Sequence, residues 1–166
     1  MRLPKKILVP TDMSTYSLSA LQYAEIIAEV FGAEITLIHV VLSGDRPSDV
    51  HADPGERRTR EVSVEESKKM ISHLLIDSDL VIRSIKILVR NGSPAEEIVK
   101  AAKEMDADII VMSTHGRTGI RHTVIGSVAE KVVRYALCPV LTVKPEEFRE
   151  LVSLSEEEVA RDLHMN

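Results

Sequence analysis

The sequence predicts an α/β fold with a single open, doubly wound sheet of five parallel strands, and two observations carry the prediction. Five short apolar segments alternate along the chain with four segments whose apolar residues have helical spacing. Such alternation implies parallel βαβ units with right-handed crossovers that cover both faces of the sheet. With 166 residues, 44% of them hydrophobic, the chain can bury one core. We expect one domain over residues 1–145 and an acidic amphipathic tail over residues 146–166.

The predicted strands are short, apolar and rich in β-branched residues. In the third, positions on a more polar face alternate with positions on an apolar face, which indicates a half-buried or edge strand. The five strands are expected at residues 6–10, 34–41, 81–89, 108–112 and 139–143.

The predicted helices have start and stop signals. Gly32 ends the first, and Ser93 with Pro94 and Glu96 predicts a capping box at the start of the third. In the fourth, Val128, Val132 and Val133 are expected to face inward. The helices are expected at residues 14–31, about 60–77, 93–105 and 126–136, followed by helical spacing in the tail.

Composition limits the function classes. The net charge is −5, and the chain has no Trp, two Phe and three Tyr. Nucleic-acid binding calls for a basic surface and stacking aromatic side chains. The negative net charge and the few aromatic residues therefore argue against it. No apolar run approaches the roughly 20 residues of a membrane helix. The lone cysteine, Cys138, has no partner for an internal disulfide, and we expect a cytoplasmic protein without membrane contacts.

The stretch from Ser113 to Ser127 is the strongest site candidate. Ligands of open α/β sheets bind beyond the carboxyl ends of the strands, where the strand order reverses. Gly116 and Gly119 allow close backbone approach, and Gly126 opens a helix whose N-terminal amides favour an anion. Tight turns followed by an ordinary helix cap explain the same residues equally well. Neither a Walker A pattern nor a G-x-G-x-x-G pattern occurs.

Several segments in order resemble the universal stress protein family: residues 6–12 (KILVPTD), 37–41 (LIHVV), 109–120 (IIVMSTHGRTGI), 126–128 (GSV) and 138–144 (CPVLTVK). The resemblance extends from about residue 5 to residue 144. It implies a universal stress protein domain over residues 1–145, with the adenine nucleotide alpha hydrolase-like form of the predicted sheet.

Members of that family that bind ATP resemble one another in a motif: glycine, two residues, glycine, nine residues, then glycine and serine or threonine. In this chain Gly116, Gly126 and Ser127 match the motif, and Ser113 stands at the position of the first glycine. The departure places a side chain where the backbone would pass close to a nucleotide. Serine is small and could donate a hydroxyl, so we expect binding to be weakened or retained.

The resemblance implies an ATP or AMP site, with Mg²⁺ or Mn²⁺ as a companion of the phosphates and with no side chains assigned as metal ligands. Alternatives remain open for three residues: Asp12 could cap a helix, Val40 could be strand core, and Arg117 could be solvated. By resemblance, Asp12 and Val40 contact the adenosine end and Ser113, Gly116, Gly126, Ser127 and Val128 hold the phosphates, while Arg117 could neutralise phosphate charge.

The function expected from the resemblance is a nucleotide-dependent regulator in stress response, acting as a homodimer joined through the last strand, Pro139 to Val143. One alternative is an interaction protein of the same fold without nucleotide affinity, because of Ser113. Another is an ATP hydrolase that uses Asp12 or His115. At most slow ATP hydrolysis is expected. The tail could dock on its own subunit or on a neighbour.

Overall fold

Five parallel strands alternate with four helices in a computed structural model that describes residues 3–42, 64–76, 85–116 and 125–145. None of the described helices is long and apolar enough to cross a membrane. In chain order the elements are β1 (Lys6–Thr11), α1 (Thr15–Phe31), β2 (Glu34–Val41), α2 (Val64–Ile76), β3 (Ile85–Asn91), α3 (Pro94–Glu104), β4 (Ile109–Ser113), α4 (Ser127–Tyr135) and β5 (Val140–Val143).

The strand order is β3-β2-β1-β4-β5, and every neighbouring pair is parallel. The chain moves outward from β1 to β3, returns across the sheet through α3, and then moves outward again to β5. Its direction therefore reverses between β1 and β4, which is the switch point where open sheets of this kind bind ligands. The predicted fold class is confirmed, and so is the edge position of β3.

Apolar side chains on the two faces of the sheet form two separate clusters. Helices α1 and α2 cover one face, and α3 and α4 cover the other, as right-handed crossovers require. Central strand residues alternate between the clusters because successive side chains in a strand point to opposite faces. The large, fully buried apolar members are Ile7, Val9, Leu21, Leu37, Ile71 and Val111 on the first face, and Leu8, Ile38, Ile110 and Val132 on the second.

Most predicted boundaries agree with the structure to within two residues. Ser14 caps α1, and Gly32 ends it in the left-handed region at φ 61°. The predicted starts of α2 and β3 extend into residues 60–63 and 81–84, which lie outside the described residues. The tail, residues 146–166, lies outside them as well.

Two details of the helix predictions are wrong. Ser93 is the N-cap of α3 with Pro94 at the first position, but its side chain makes no capping hydrogen bond. Pro94 has no N–H, and the carbonyl of Ser93 accepts the first helical bond from Glu97. Val133 is 49% exposed because it lies about 100° around α4 from the buried Val132.

Candidate functional site at the crevice between β1 and β4

A proline opens the crevice at the switch point. Strands β1 and β4 pair only at Ile7 with Ile109 and at Leu8 with Ile110, whereas β1 stays paired with β2 as far as Thr11. The next bond of the β1–β4 ladder would come from the backbone N–H of residue 10, and Pro10 has none. The two strands therefore stop pairing halfway along β1, which leaves a crevice at their carboxyl ends.

The turn after β1 fixes the carboxylate of Asp12 at the mouth of this crevice. Its Oδ1 accepts hydrogen bonds from the backbone N–H of Ser14, at 3.1 Å, and from the Ser14 hydroxyl. Between them Met13 adopts φ 64°, a left-handed conformation that costs a non-glycine residue roughly 1 kcal/mol or more. Ser14 itself caps α1, so Asp12 supports the cap and does not form it.

Buried hydroxyl groups hold this turn in place from below. The Thr11 hydroxyl lies 2.8 Å from that of Ser17, which donates to the carbonyl of Ser14, also at 2.8 Å. The backbone N–H of Met13 donates to the Thr11 hydroxyl at 3.0 Å. His39 on β2 donates from Nδ1 to the Thr11 carbonyl at 2.9 Å. The position of Asp12 is thus fixed by backbone and core contacts.

The loop after β4 is anchored to β5. The backbone N–H of Thr114 donates to the Val143 carbonyl at 2.9 Å, and the Thr114 hydroxyl lies 2.9 Å from Nδ1 of His115. The Ser113 hydroxyl oxygen accepts from the backbone N–H of His115 at 3.2 Å. All three side chains are buried. Ser113 is therefore turned toward its own loop, and His115 acts as a structural loop residue.

Two glycines allow backbone segments to approach closely here. A Cβ atom on Gly116 would lie less than 3.0 Å from Oδ2 of Asp12, so a side chain at 116 and the observed Asp12 carboxylate exclude each other. A Cβ on Gly126 would lie 3.0 Å from the carbonyl oxygen of Thr114, to which the Gly126 N–H donates at 2.7 Å. Neither glycine has a positive φ, so the constraint at both positions is the space that a Cβ would need.

The Gly126–Thr114 bond places the start of α4 against the loop after β4. Gly126 is the N-cap of α4, and the exposed Ser127 is its first residue. The free backbone N–H groups of a helix N-terminus carry partial positive charge and favour an anion. Four predicted residues, Asp12, Ser113, Gly116 and Gly126, are therefore gathered at one crevice.

The remaining predicted residues differ in placement. Val128, the second residue of α4, is half-buried and packs against the α3/α4 cluster. Val40, near the carboxyl end of β2, is half-buried against the same cluster, which fits the strand-core alternative as well as a crevice wall. Arg117 lies outside the described residues, as do Arg121 and His122. Among the described residues, no group of three or more His, Cys, Asp or Glu side chains could hold a metal ion.

A second loop at the carboxyl ends of the strands, residues 92–93 after β3, is flanked by ion pairs. Arg90 pairs with Glu97, at 3.5 Å, and with Glu104, both on α3. The Arg90 hydrogen bond lowers the pKa of Glu104, and the Lys100 hydrogen bond, followed by Arg90, lowers the pKa of Glu97. These contacts tie β3 to α3, so the loop serves the fold.

Sequence reasoning missed three residues that shape the crevice. Pro10 is predicted only as the last residue of a strand, whereas a proline inside a central strand also signals an interrupted ladder. No sequence signal identifies the left-handed conformation of Met13 or the anchoring of Thr114 to β5, because both depend on neighbouring segments.

Together these features define the class of the protein: a doubly wound α/β protein with a crevice at its switch point. The family model described as "Universal stress protein family" matches residues 4–144. The chain belongs to the universal stress protein family.

Named relatives agree. Universal stress protein MJ0531 of Methanocaldococcus jannaschii is 38% identical over 152 residues, which cover 84% of this chain and 82% of that protein. Universal stress protein MJ0577 of the same organism is 31% identical over 153 residues, covering 84% and 94% of the two chains.

Solved structures share the fold. The structure of MJ0577 matches with a TM-score of 0.71 and 32% identity, covering 87% of this chain and 99% of that one. A universal stress protein solved in complex with cAMP matches with a TM-score of 0.57 and 22% identity, covering 86% and 98%, a likeness of fold.

Proposed function

We propose that this universal stress protein binds ATP or AMP in the crevice between β1 and β4 and acts as a homodimeric, nucleotide-dependent regulator. The observation that carries the proposal is the meeting of Asp12, the bare backbone of Gly116 and the N-terminus of α4 at the switch point. A carboxylate can accept from ribose hydroxyls, and helix amides can hold phosphates.

The proposed roles are those that the family resemblance implies. Asp12 and Val40 contact the adenosine end, while Ser113, Gly116, Gly126, Ser127 and Val128 line the path of the phosphates and Arg117 neutralises their charge. The buried Ser113 hydroxyl is held by the N–H of His115, which favours retained binding over an interaction protein that lacks nucleotide affinity. One protein of this fold has been solved with cAMP, so the fold accommodates an adenine nucleotide.

Calorimetric titration of nucleotide-free full-length protein with ATP and AMP, with and without Mg²⁺ or Mn²⁺, tests the proposal. We expect dissociation constants well below millimolar. The matched variants are Asp12→Asn and Asp106→Asn, because Asp106 lies in the turn before β4, where φ is 58° and Asn fits equally well.

Asp12→Asn should weaken binding about tenfold, the value of one charge-assisted hydrogen bond, while Asp106→Asn leaves it unchanged. Affinity no tighter than millimolar for every nucleotide, or equal losses in both variants, would overturn the proposal.

The homodimer is proposed to form along the outer edge of β5. The carbonyl of Pro139 accepts from Ile110 on β4, and that of Val143 accepts from Thr114 directly after β4, so the backbone groups of Val140 and Thr142 point away from β4. Leu137 next to this edge is 80% exposed, and an unpaired apolar edge invites a partner.

Thr142→Pro removes one outward N–H without touching the bonds to β4, and Thr142→Ala keeps it. Light scattering should show a dimer for the wild type and Thr142→Ala and a monomer for Thr142→Pro. A monomeric wild type, or a dimeric Thr142→Pro variant, would exclude pairing through this edge.

A further inference from the structure

Helix α1 carries a row of apolar side chains on its surface. Tyr23, Ile26 and Val30 are 41%, 60% and 69% exposed, and their spacing of three and four residues places them on one flank. The buried residues of the same helix, such as Ser17 and Ala24, point to the sheet. Three exposed apolar side chains on one flank of a helix are more than isolated surface residues would give.

Helix geometry gives the direction of this flank. A right-handed crossover from β1 to β2 places β2 and α2 on one side of α1, and β4 and β5 on the other. Seen from the N-terminus of α1 with the sheet below, residues advance clockwise by about 100° each, and β5 lies to the right. With Ala24 pointing down, Tyr23 and Val30 project to the right and upward, toward β5.

The adjoining face of β5 is partly exposed. Leu141 alternates with Val140, which packs against the α3/α4 cluster, and shares its face with Val143, which packs against the α1/α2 cluster. Although it points to the α1 side, Leu141 remains 37% exposed. Helix α1 contacts β5 on this side, where Val143 packs in the α1/α2 cluster, but it leaves Leu141 exposed. We name the space between α1 and β5 the α1–β5 groove, lined by Tyr23, Val30 and Leu141.

The chain itself supplies an occupant. The described residues end at the buried Pro145, two positions after β5 and therefore at the head of the groove. Residues 146–166 follow, and as a helix they would extend about 30 Å, somewhat more than the roughly 25 Å of α1. Their apolar residues have helical spacing and stand among acidic ones: Phe148, Leu151, Val152, Val159 and Leu163.

We propose that residues 146–166 dock as an amphipathic helical segment in the α1–β5 groove of their own subunit. The apolar row then packs on Tyr23, Val30 and Leu141, and the glutamates face water. This intrachain contact covers an apolar surface that is distinct from the nucleotide crevice and from the outward backbone groups of β5. It stands or fails independently of the proposed function.

Paramagnetic relaxation in the full-length chain tests the docking. A nitroxide is attached at Ile26→Cys, or at Gln22→Cys as a second site, in a Cys138→Ala background; the control label is at Lys103→Cys on α3, across the sheet. We expect loss of the amide signals of residues 148–163 with the α1 labels and not with the control label.

Matched tail variants sharpen the result. Leu163→Asp lies on the apolar row and should restore the amide signals, whereas Leu154→Asp lies opposite the row and should leave them broadened. Tail signals that keep full intensity with both α1 labels overturn the proposal. The proposal is also overturned if the tail signals broaden only when isotope-labelled chains are mixed with spin-labelled, unenriched chains. The tail of a second copy would then fill the groove.

Discussion

The loops that follow β3 and β4 leave the same edge of the sheet and both contain glycine, yet they are built in different ways. After β3, Gly92 is needed for its φ of 145°, and Arg90 ties the strand to α3 through two glutamates. After β4, Gly116 and Gly126 have ordinary φ values and are needed for space against Asp12 and Thr114.

The difference teaches how a functional loop can be told from a structural one. A glycine chosen for φ shapes the chain, and its neighbours then satisfy one another, as the ion pairs around Arg90 do. A glycine chosen for space brings backbone against a functional group from another strand, as Gly116 does with Asp12. The following variants break or sharpen this comparison.

Gly116→Ala should have the largest effect on binding. The new Cβ would lie less than 3.0 Å from Oδ2 of Asp12 and displace the carboxylate. We expect the affinity for ATP to fall about 100-fold, or roughly 2.7 kcal/mol, measured by calorimetric titration. Thermal unfolding of the same variant should change much less, because Gly116 has no positive φ. Unchanged affinity would show that Asp12 is not part of the site.

Gly92→Ala is the matched change in the loop after β3. An alanine is strained at φ 145°, and its Cβ would lie 3.0 Å from Cγ of Glu97. We expect the free energy of unfolding to fall by about 2 kcal/mol, measured by urea denaturation, with the affinity for ATP unchanged. A large loss of affinity here would remove the distinction between the two loops.

Pro10→Val tests the opening of the crevice. The restored N–H can donate to the carbonyl of Val111 and continue the β1–β4 ladder, which narrows the site. We expect about a tenfold loss of affinity, close to 1.4 kcal/mol, without lower stability in urea denaturation. Pro4→Val, outside the strands, is the control and should bind normally. A Pro10→Val protein with wild-type affinity would show that the interrupted ladder does not determine the site.

The sequence predicts the fold well because its signals are local. Gly32, Pro94 and the apolar strands mark element boundaries directly, and the order of elements implies the switch point. The site is harder to predict from the sequence, because it depends on segments that are distant along the chain. These are Asp12 with Gly116, Thr114 with Val143, and Pro10 opposite Val111. The predicted capping box at Ser93 and the predicted inward position of Val133 are wrong, because each rests on a local sequence pattern that does not include the packing around the residue.

Arg90→Met tests the charge network after β3. The pKa values of Glu104 and Glu97 are lowered from the ordinary glutamate value in the folded protein, by a hydrogen bond from Arg90 for Glu104 and by hydrogen bonds from Lys100 first and then Arg90 for Glu97. Carboxyls with a lowered folded pKa stabilise the fold above their unfolded pKa, and this contribution is lost as pH falls through the folded value. Arg90→Met should therefore lower the equilibrium constant for folding a few-fold at neutral pH.

That difference from wild type should shrink as the pH falls below about 4.5, measured by urea denaturation across a pH series. Lys131→Met, an exposed change on α4, is the control and should show no such convergence. A difference between Arg90→Met and wild type that stays constant down to strongly acidic pH would mean that these carboxyls do not respond to Arg90.

Ser113→Gly should have the smallest effect, although Ser113 is the chain's departure from the ATP-binding motif. The Ser113 hydroxyl already accepts the N–H of His115 and is buried in its own loop, so removing it opens little space on the side of the crevice. Loss of that bond also frees the loop, which costs about 1 kcal/mol of stability. We expect the affinity for ATP to stay within about threefold of wild type, less than 0.7 kcal/mol. A gain of tenfold or more would show that the serine side chain obstructs the nucleotide, and the chain would then be better described as an interaction protein whose ancestral site has been partly closed.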